Sequence, residues 1–199
     1  MNLLKPEKIG SLFRDQEADR GSEAGRFWEK NGRGVMTLTI DSVKSHFRKI
    51  GREGDILEFD QSSATVELAA AALGVEPARI AKTLSFRGEG ERALLIVSAG
   101  NTKIDNKKFK KTFGFKARFL SPAEVLEQTG HEVGGVCPFG LKNDCDVFID
   151  ISVKEFDTLF PACGSSHSAI ELTKEELFQI SGAKEWVDVC KLQELNPAN

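Results

Sequence analysis

The chain has 199 residues and a mass of 21.9 kDa, and with its 18 glycines added to the 40% hydrophobic residues about half of it is apolar. That is the composition of a globular domain, not of a disordered, collagenous or coiled-coil chain. At this length roughly 70% of the unfolded surface is buried on folding, so the core needs neither metal nor disulfides. The net charge is −3, which excludes a protein that holds long nucleic acid by overall charge, so an RNA partner must be gripped by a local patch.

Residues 1–35 carry thirteen charges and several glycines without periodicity, the pattern of a polar tail. Met36 is an alternative start, and Phe27 and Trp28 are the residues a docking arm in this tail would use. No apolar block follows the first charges, so a secretory signal is not expected and the cytoplasm is the expected compartment. The longest apolar runs, Leu68 to Leu73 and Ala93 to Val97, are far short of the roughly 20 residues that span a bilayer. The folded domain is expected over 36–199.

From Asp41 the stripe Val43, Phe47, Ile50 predicts a helix ended by Gly51 and Gly54. Asp55 to Phe59 reads as a strand. Thr65 to Leu73 is an alanine-rich helix with Ser63 or Thr65 as its cap and Gly74 closing it. After a short turn over Pro77 to Ile80, Lys82 to Phe86 and Arg92 to Ser98 form a hairpin across Gly88-Glu89-Gly90. The capping boxes Ser121-Pro122-Ala123-Glu124 and Thr173-Lys174-Glu175-Glu176 fix two helix starts. Between them lie a glycine-rich loop, a strand over Val147 to Ile151, a Phe160 to Cys163 segment and a strand over Ala169 to Leu172. Helices and strands mix without a strict βαβ rhythm, which argues for an α+β domain with a mixed sheet.

The loop Thr129-Gly130-His131-Glu132-Val133-Gly134-Gly135-Val136-Cys137-Pro138-Phe139-Gly140 is the most unusual segment. Glycines let peptide N–H groups face a ligand with no Cβ in the way, as backbone oxyanion sites require; the same pattern also suits a tight turn. Lys82 opens an apolar strand, and is either solvated or, if buried, a functional group. In Pro161 to Ala169, small polar residues surround His167, either a proton carrier or a hydrogen-bonding loop residue.

The four cysteines, Cys137, Cys145, Cys163 and Cys190, are too few and too irregular for a disulfide framework, so free thiols are expected. Cys137, Cys145, Cys163 and His167 lack the CxxC-like pairing of zinc sites, so neither metal nor cofactor is expected. A Cys137 thiol nucleophile has no acid and base beside it in sequence. Lys103 to Arg118 holds seven cations and one acid, a charge of +6 on a remainder of −9. Phe109, Phe113 and Phe115 interleave at helical spacing, so a cationic helix is predicted whose lysines are either a solvated face or a phosphate-binding patch.

The ordered set TVELAAAALGV, IAKTLSF, KIDNKKFKKTFG, SPAEVLEQTG, TGHEVGGVCPFG, VFID and GSSHSAIEL, covering about Val43 to Val189, resembles the YbaK/EbsC family of aminoacyl-tRNA deacylases. The same fold occurs in the editing domain inserted in bacterial prolyl-tRNA synthetases. The resemblance implies a mixed sheet curled into a barrel-like core with helices around it, and a cytoplasmic hydrolase that clears mischarged tRNA in trans. It implies prolyl-tRNA as substrate, a prolyl-tRNA synthetase as a further partner, and no membrane or metal.

Carried over by position, Lys82 and the loop Gly134, Gly135, Val136 and Cys137 are implied catalytic residues. Thr83, Pro138 and Asp150 are likewise implied for the substrate pocket; Phe59, Gly164, Ser166 and His167 are further pocket candidates, and Lys103, Lys107, Lys108, Lys110 and Lys111 of the cationic patch are the candidate tRNA contacts. Cys137 stands where a serine or other small residue is common, and His167 at a usually small site, which leaves alanine, cysteine, serine and small non-protein residues open as the amino acid removed. The other readings are a non-catalytic tRNA- or synthetase-binding module and a thiol-dependent hydrolase using Cys137.

Overall fold

The computed structural model describes residues 40–90 and 92–193. The 1–35 tail, with Phe27 and Trp28, and the start at Met36 lie outside the described residues. Helix α1 (Ile40–Arg48) buries Val43 and Phe47, with Ile50 buried just past its end. A 3₁₀ turn over Glu53–Asp55 leads into β1 (Ile56–Glu58). Thr65 is the cap of α2 (Val66–Leu73), its hydroxyl accepting from Leu68 N–H at 3.2 Å, and Gly74 closes the helix at φ 66°. Ser63, the other candidate cap, donates its N–H and hydroxyl to the Ser166 carbonyl instead. A 3₁₀ turn over Pro77–Arg79 precedes β2 (Ile80–Arg87), which pairs antiparallel with β3 (Ala93–Ala99) as the predicted hairpin.

After β4 (Thr102–Ile104), Asp105 caps α3 (Asn106–Phe113). The cationic helix is shorter than the 103–118 segment that predicts it. Asp105 accepts from Lys107 and Lys108 N–H, and Gly114 at φ 82° ends the helix. Phe115 therefore reaches the core from the following loop. Both capping boxes form, opening α4 (Pro122–Thr129) and, after β5 (Asp146–Asp150), β6 (Thr158–Pro161), β7 (Ser168–Ile170) and β8 (Leu172–Thr173), opening α5 (Lys174–Ile180). The single strand predicted over Ala169 to Leu172 is two, since β7 pairs with β1 and β8 with β6. The short β9 (Trp186–Val187) and β10 (Cys190–Leu192) carry no periodicity that a sequence could show.

Six strands form a mixed sheet in the order β8-β6-β2-β3-β5-β9, and the ribbons β1-β7 and β4-β10 complete a curled half-barrel with helices around it. Every residue of β3 is buried. Its odd members Leu95 and Val97 pack with Phe47, Cys137 and Ile149, its even members Leu94 and Ile96 with Phe86 and Phe109. A strand covered on both faces reads as a continuous apolar run, which is why Ala93 to Val97 shows no alternation. A third cluster, Ala69, Ala70, Ile80 and Phe160, seats α2 against the sheet end.

Candidate active site

The glycine loop is held by two close backbone approaches. A Cβ on Gly134 would lie 2.9 Å from Ala64 Cβ, and Gly134 sits at φ 97°, a region that favours glycine. A Cβ on Gly135 would meet Ser165 Cα and carbonyl carbon at 2.7 Å. The loop is thus clamped between the approach to α2 and the small-residue strip after β6. Within it, Gly135 N–H donates to the Glu132 carbonyl at 2.9 Å, and Cys137 N–H to His131 Nδ1 at a long 3.5 Å. The N–H groups of Gly134 and Val136 have no hydrogen-bond partner among the described residues.

His131 is the functional-region residue that sequence reasoning missed, having singled out His167. Its ring is fully buried, Nδ1 lies 3.8 Å from Cys137 Sγ, and Nε2 has no hydrogen-bond partner among the described residues. Burial pulls the imidazole down to about 4 and pushes the Cys137 thiol up to about 12. Both are neutral near pH 7, so the pair is not a thiolate–imidazolium. The two residues are six apart in a loop, a spacing without periodicity, and only the loop's path brings them together.

The strip after β6 forms the facing wall. Gly164 is buried at φ 83°, Ser165 and Ser168 hydroxyls are 2.9 Å apart, and the Ser166 hydroxyl is 3.0 Å from Nδ1 of the exposed His167. Phe59 N–H donates to the His167 carbonyl at 2.8 Å, and Ser63 N–H to the Ser166 carbonyl at 2.6 Å. Phe59, Gly134 to Cys137, Gly164, Ser166 and His167 are therefore gathered around the 59–65 segment. Pro138 is buried behind the loop, leading into the core residue Phe139. Thr83 follows Ala81 on the sheet face that carries Cys137, by strand alternation. Its hydroxyl oxygen is buried without a hydrogen-bond partner among the described residues.

Lys82 lies on the other face, with Leu84 and Phe86, by the same alternation. Its ammonium donates to the Gly100 carbonyl at 2.9 Å and to the Thr102 carbonyl, and not to the loop. Burial pulls its pKa down, opposed by Cys190 and Glu67 nearby. A Cβ on Gly100 would lie 2.7 Å from Val66 Cγ1. Ala64 thus touches the loop while Val66 touches the residue that anchors Lys82, so loop and lysine flank the start of α2 from two sides.

Asp150 is 1% exposed and its oxygens accept from three backbone donors, Ser152 N–H at 3.0 Å, Val189 N–H at 2.8 Å and Cys190 N–H at 3.0 Å. Lys103 on β4 and Lys107, Lys110 and Lys111 on α3 are exposed, whereas Lys108 is half-buried and bonds Asp188 at 2.6 Å and the Cys190 carbonyl at 3.0 Å. Among the described residues, no group of three or more His, Cys, Asp or Glu is placed to hold a metal, all four cysteines are free, and no helix is long and apolar enough to cross a membrane.

A family model for the aminoacyl-tRNA editing domain matches residues 60–180, the span that contains the loop, the strip and Lys82. The chain belongs to the aminoacyl-tRNA editing domain family. This editing domain is 62% identical over 154 residues to the uncharacterized protein YwhH of Bacillus subtilis, covering 77% of this chain and 98% of YwhH. It is 26% identical over 127 residues to EbsC of Enterococcus faecalis, a proposed Cys-tRNA(Pro)/Cys-tRNA(Cys) deacylase, covering 63% of this chain and 77% of EbsC. Against the proline–tRNA ligase of Bacillus licheniformis it is 28% identical over 166 residues, 74% of this chain but 29% of the ligase. Among solved structures, a proposed trans-editing enzyme for prolyl tRNA synthetase matches with a TM-score of 0.70 at 27% identity, covering 78% of this chain and 99% of that one.

Proposed function

We propose that this editing domain is a deacylase acting in trans, which hydrolyses the ester between a small non-cognate amino acid and the 3′ end of prolyl-tRNA. The observation that carries this reading is the clamped loop whose Gly134 and Val136 N–H groups are left without partners among the described residues. Donors fixed in advance at a developing oxyanion are the main requirement for cleaving an ester that is already activated. The names of EbsC and of the matched structure supply the substrate class.

In this mechanism a water attacks the carbonyl carbon, the tetrahedral oxygen is held by Gly134 and Val136 N–H, and collapse breaks the bond to the ribose oxygen. That oxygen leaves with a proton as the tRNA hydroxyl, and the free amino acid is released. Lys82 supplies the positive charge beside the start of α2, where it fixes the terminal nucleotide's phosphate or the substrate carbonyl. Phe59, Thr83, Pro138, Gly164, Ser166 and His167 shape the amino-acid pocket, whose small residues suit alanine, cysteine or serine. Asp150 holds the backbone at 189–190 rather than the substrate. Exposed Lys103, Lys107, Lys110 and Lys111 meet tRNA phosphates, with Lys108 beside them once it exchanges Asp188 for a phosphate, and a prolyl-tRNA synthetase is the partner that would deliver the tRNA. The raised pKa of the Cys137 thiol, fully buried beside a neutral imidazole, favours water over a thiol nucleophile.

The test is a deacylation panel of prolyl-tRNA charged separately with alanine, cysteine, serine and proline. Hydrolysis of a non-cognate ester with the proline ester spared is expected and names the substrate. tRNA binding without hydrolysis of any ester would overturn the reading in favour of a binding module.

A further inference from the structure

Phe119 is 62% exposed, a large apolar ring presented to solvent outside the glycine loop and the strip that faces it. Its backbone is fixed, because Arg87 N–H donates to the Arg118 carbonyl at 2.9 Å, Leu120 N–H to the Ser85 carbonyl at 3.0 Å, and Phe119 bridges Phe86 in antiparallel register. One face of the ring leans on Phe86, centroids 4.5 Å apart, and Phe86 in turn meets Phe109 of α3 at 5.1 Å. The ring is therefore rigid and lies on the sheet face that carries the lysine-rich helix. Lys116 and Arg118 beside it are exposed and form no ion pair among the described residues. They line a groove of about 950 Å³ together with Arg87 and Arg92 and the acids Glu89, Glu124 and Glu127, Arg87 being paired with Glu124 and Arg92 with Asp144 and Asp146. Lys116 and Arg118 are thus its unpaired cations among the described residues, and in chain order the exposed Lys110, Lys111, Lys116 and Arg118 lead to the outward aromatic ring.

We propose that Phe119 is a stacking platform for an unpaired base of the tRNA 3′ tail, with Lys116 and Arg118 on the adjoining phosphates, an inference that rests on tRNA being the substrate. A solitary ring among such cations suits single-stranded RNA, whose bases offer π-faces and whose backbone is anionic, and does not suit a protein partner, which would need a broad apolar patch. The spacing agrees with the site. Phe119 sits opposite Phe86, and Lys82 lies four residues back along β2, about 13 Å at 3.3 Å per residue. Four stacked nucleotides make three steps of roughly 3.4 Å, about 10 Å, and the ribose and ester of the last nucleotide cover the remainder, so a base at the root of the tail stacks on Phe119 when the esterified end is at Lys82.

The test uses two uncharged acceptor-stem hairpins, one with an unpaired four-nucleotide 3′ tail and one blunt, titrated against the full chain, Phe119→Ala and Phe119→Trp, with thermal melts confirming that each variant is folded. Phe119→Ala is expected to weaken binding of the tailed hairpin about tenfold while leaving the blunt one within about twofold, and Phe119→Trp to restore tail binding. Equal losses on both hairpins, or none on either, would overturn the proposal. Because the RNAs are uncharged, failure of deacylation with tail-dependent binding intact would defeat only the editing reading, and tail-independent binding with active deacylation only this one.

Discussion

Gly135→Ala puts a methyl group into the backbone approach between the glycine loop and the facing strip. Its Cβ would stand 2.7 Å from two backbone carbons of Ser165 and 2.8 Å from its nitrogen, atoms that cannot rotate away as a side-chain end could. The clash has to be relieved by moving the loop away from the strip, and overpacking of this kind typically destabilises by about 1–3 kcal/mol. At roughly 2–4 °C per kcal/mol for a chain of this size, Tm should fall by about 2–12 °C. The effect on chemistry should be larger, since displacing a positioned group by about 1 Å reduces rate on the order of a hundredfold. Gly54→Ala is the control, because a Cβ there would meet nothing within 4 Å and its φ is not positive; it should leave turnover unchanged. The assay is single-turnover deacylation of mischarged prolyl-tRNA alongside thermal melts. Gly135→Ala with wild-type turnover would refute the clamp as the source of the loop's geometry.

Iodoacetamide at about pH 7.5 should leave Cys137 of the folded chain unlabelled, since its thiolate is scarce and buried, and Cys137→Ser should keep turnover within a few-fold; labelling accompanied by inactivation would reinstate the thiol route. Because the folded-state pKa of His131 is lowered from 6.5 to about 4, the unfolded chain binds more protons between those values. Stability is then full above about pH 6.5 and falls by up to about 3 kcal/mol as pH drops toward 4. His46, also lowered by burial, pulls the same way, so His131→Phe should give a shallower profile in urea titrations, and an unchanged slope would contradict the assignment. Asp150→Ala leaves two buried N–H groups, of Val189 and Cys190, and the half-buried one of Ser152 without acceptors and should cost about 3 kcal/mol or more; loss of turnover with unchanged Tm would instead mean that Asp150 contacts the substrate.

Much of the fold is legible because local signals and tertiary structure agree. The stripe Val43, Phe47, Ile50 faces the core as its spacing requires, and the boxes at Ser121 and Thr173 start helices because their hydroxyls and glutamates satisfy loose N–H groups. The errors come where a local stop overrides spacing, as Gly114 does for Phe115, or where pairing is decided from a distance, as when β7 and β8 part to different partners. The site follows the same division. A run of glycines announces a close backbone approach, but not that Ala64 and Ser165 are what it approaches. The His131–Cys137 contact and the carbonyl anchors of Lys82 arise from chain paths, not periodicity, and so leave no trace in sequence.

In the proposed reaction Lys82 and the clamped loop act on one ester, although they reach it from two sides of α2. The most direct measurement is single-turnover hydrolysis of alanyl-, cysteinyl- and seryl-tRNA(Pro) by the purified chain and by Lys82→Ala, with far-ultraviolet circular dichroism to show that both are folded. A non-cognate ester cleaved by the wild type and spared by a folded Lys82→Ala is the expected result. A folded variant that cleaves it at the wild-type rate would contradict this joint role and remove Lys82 from the mechanism.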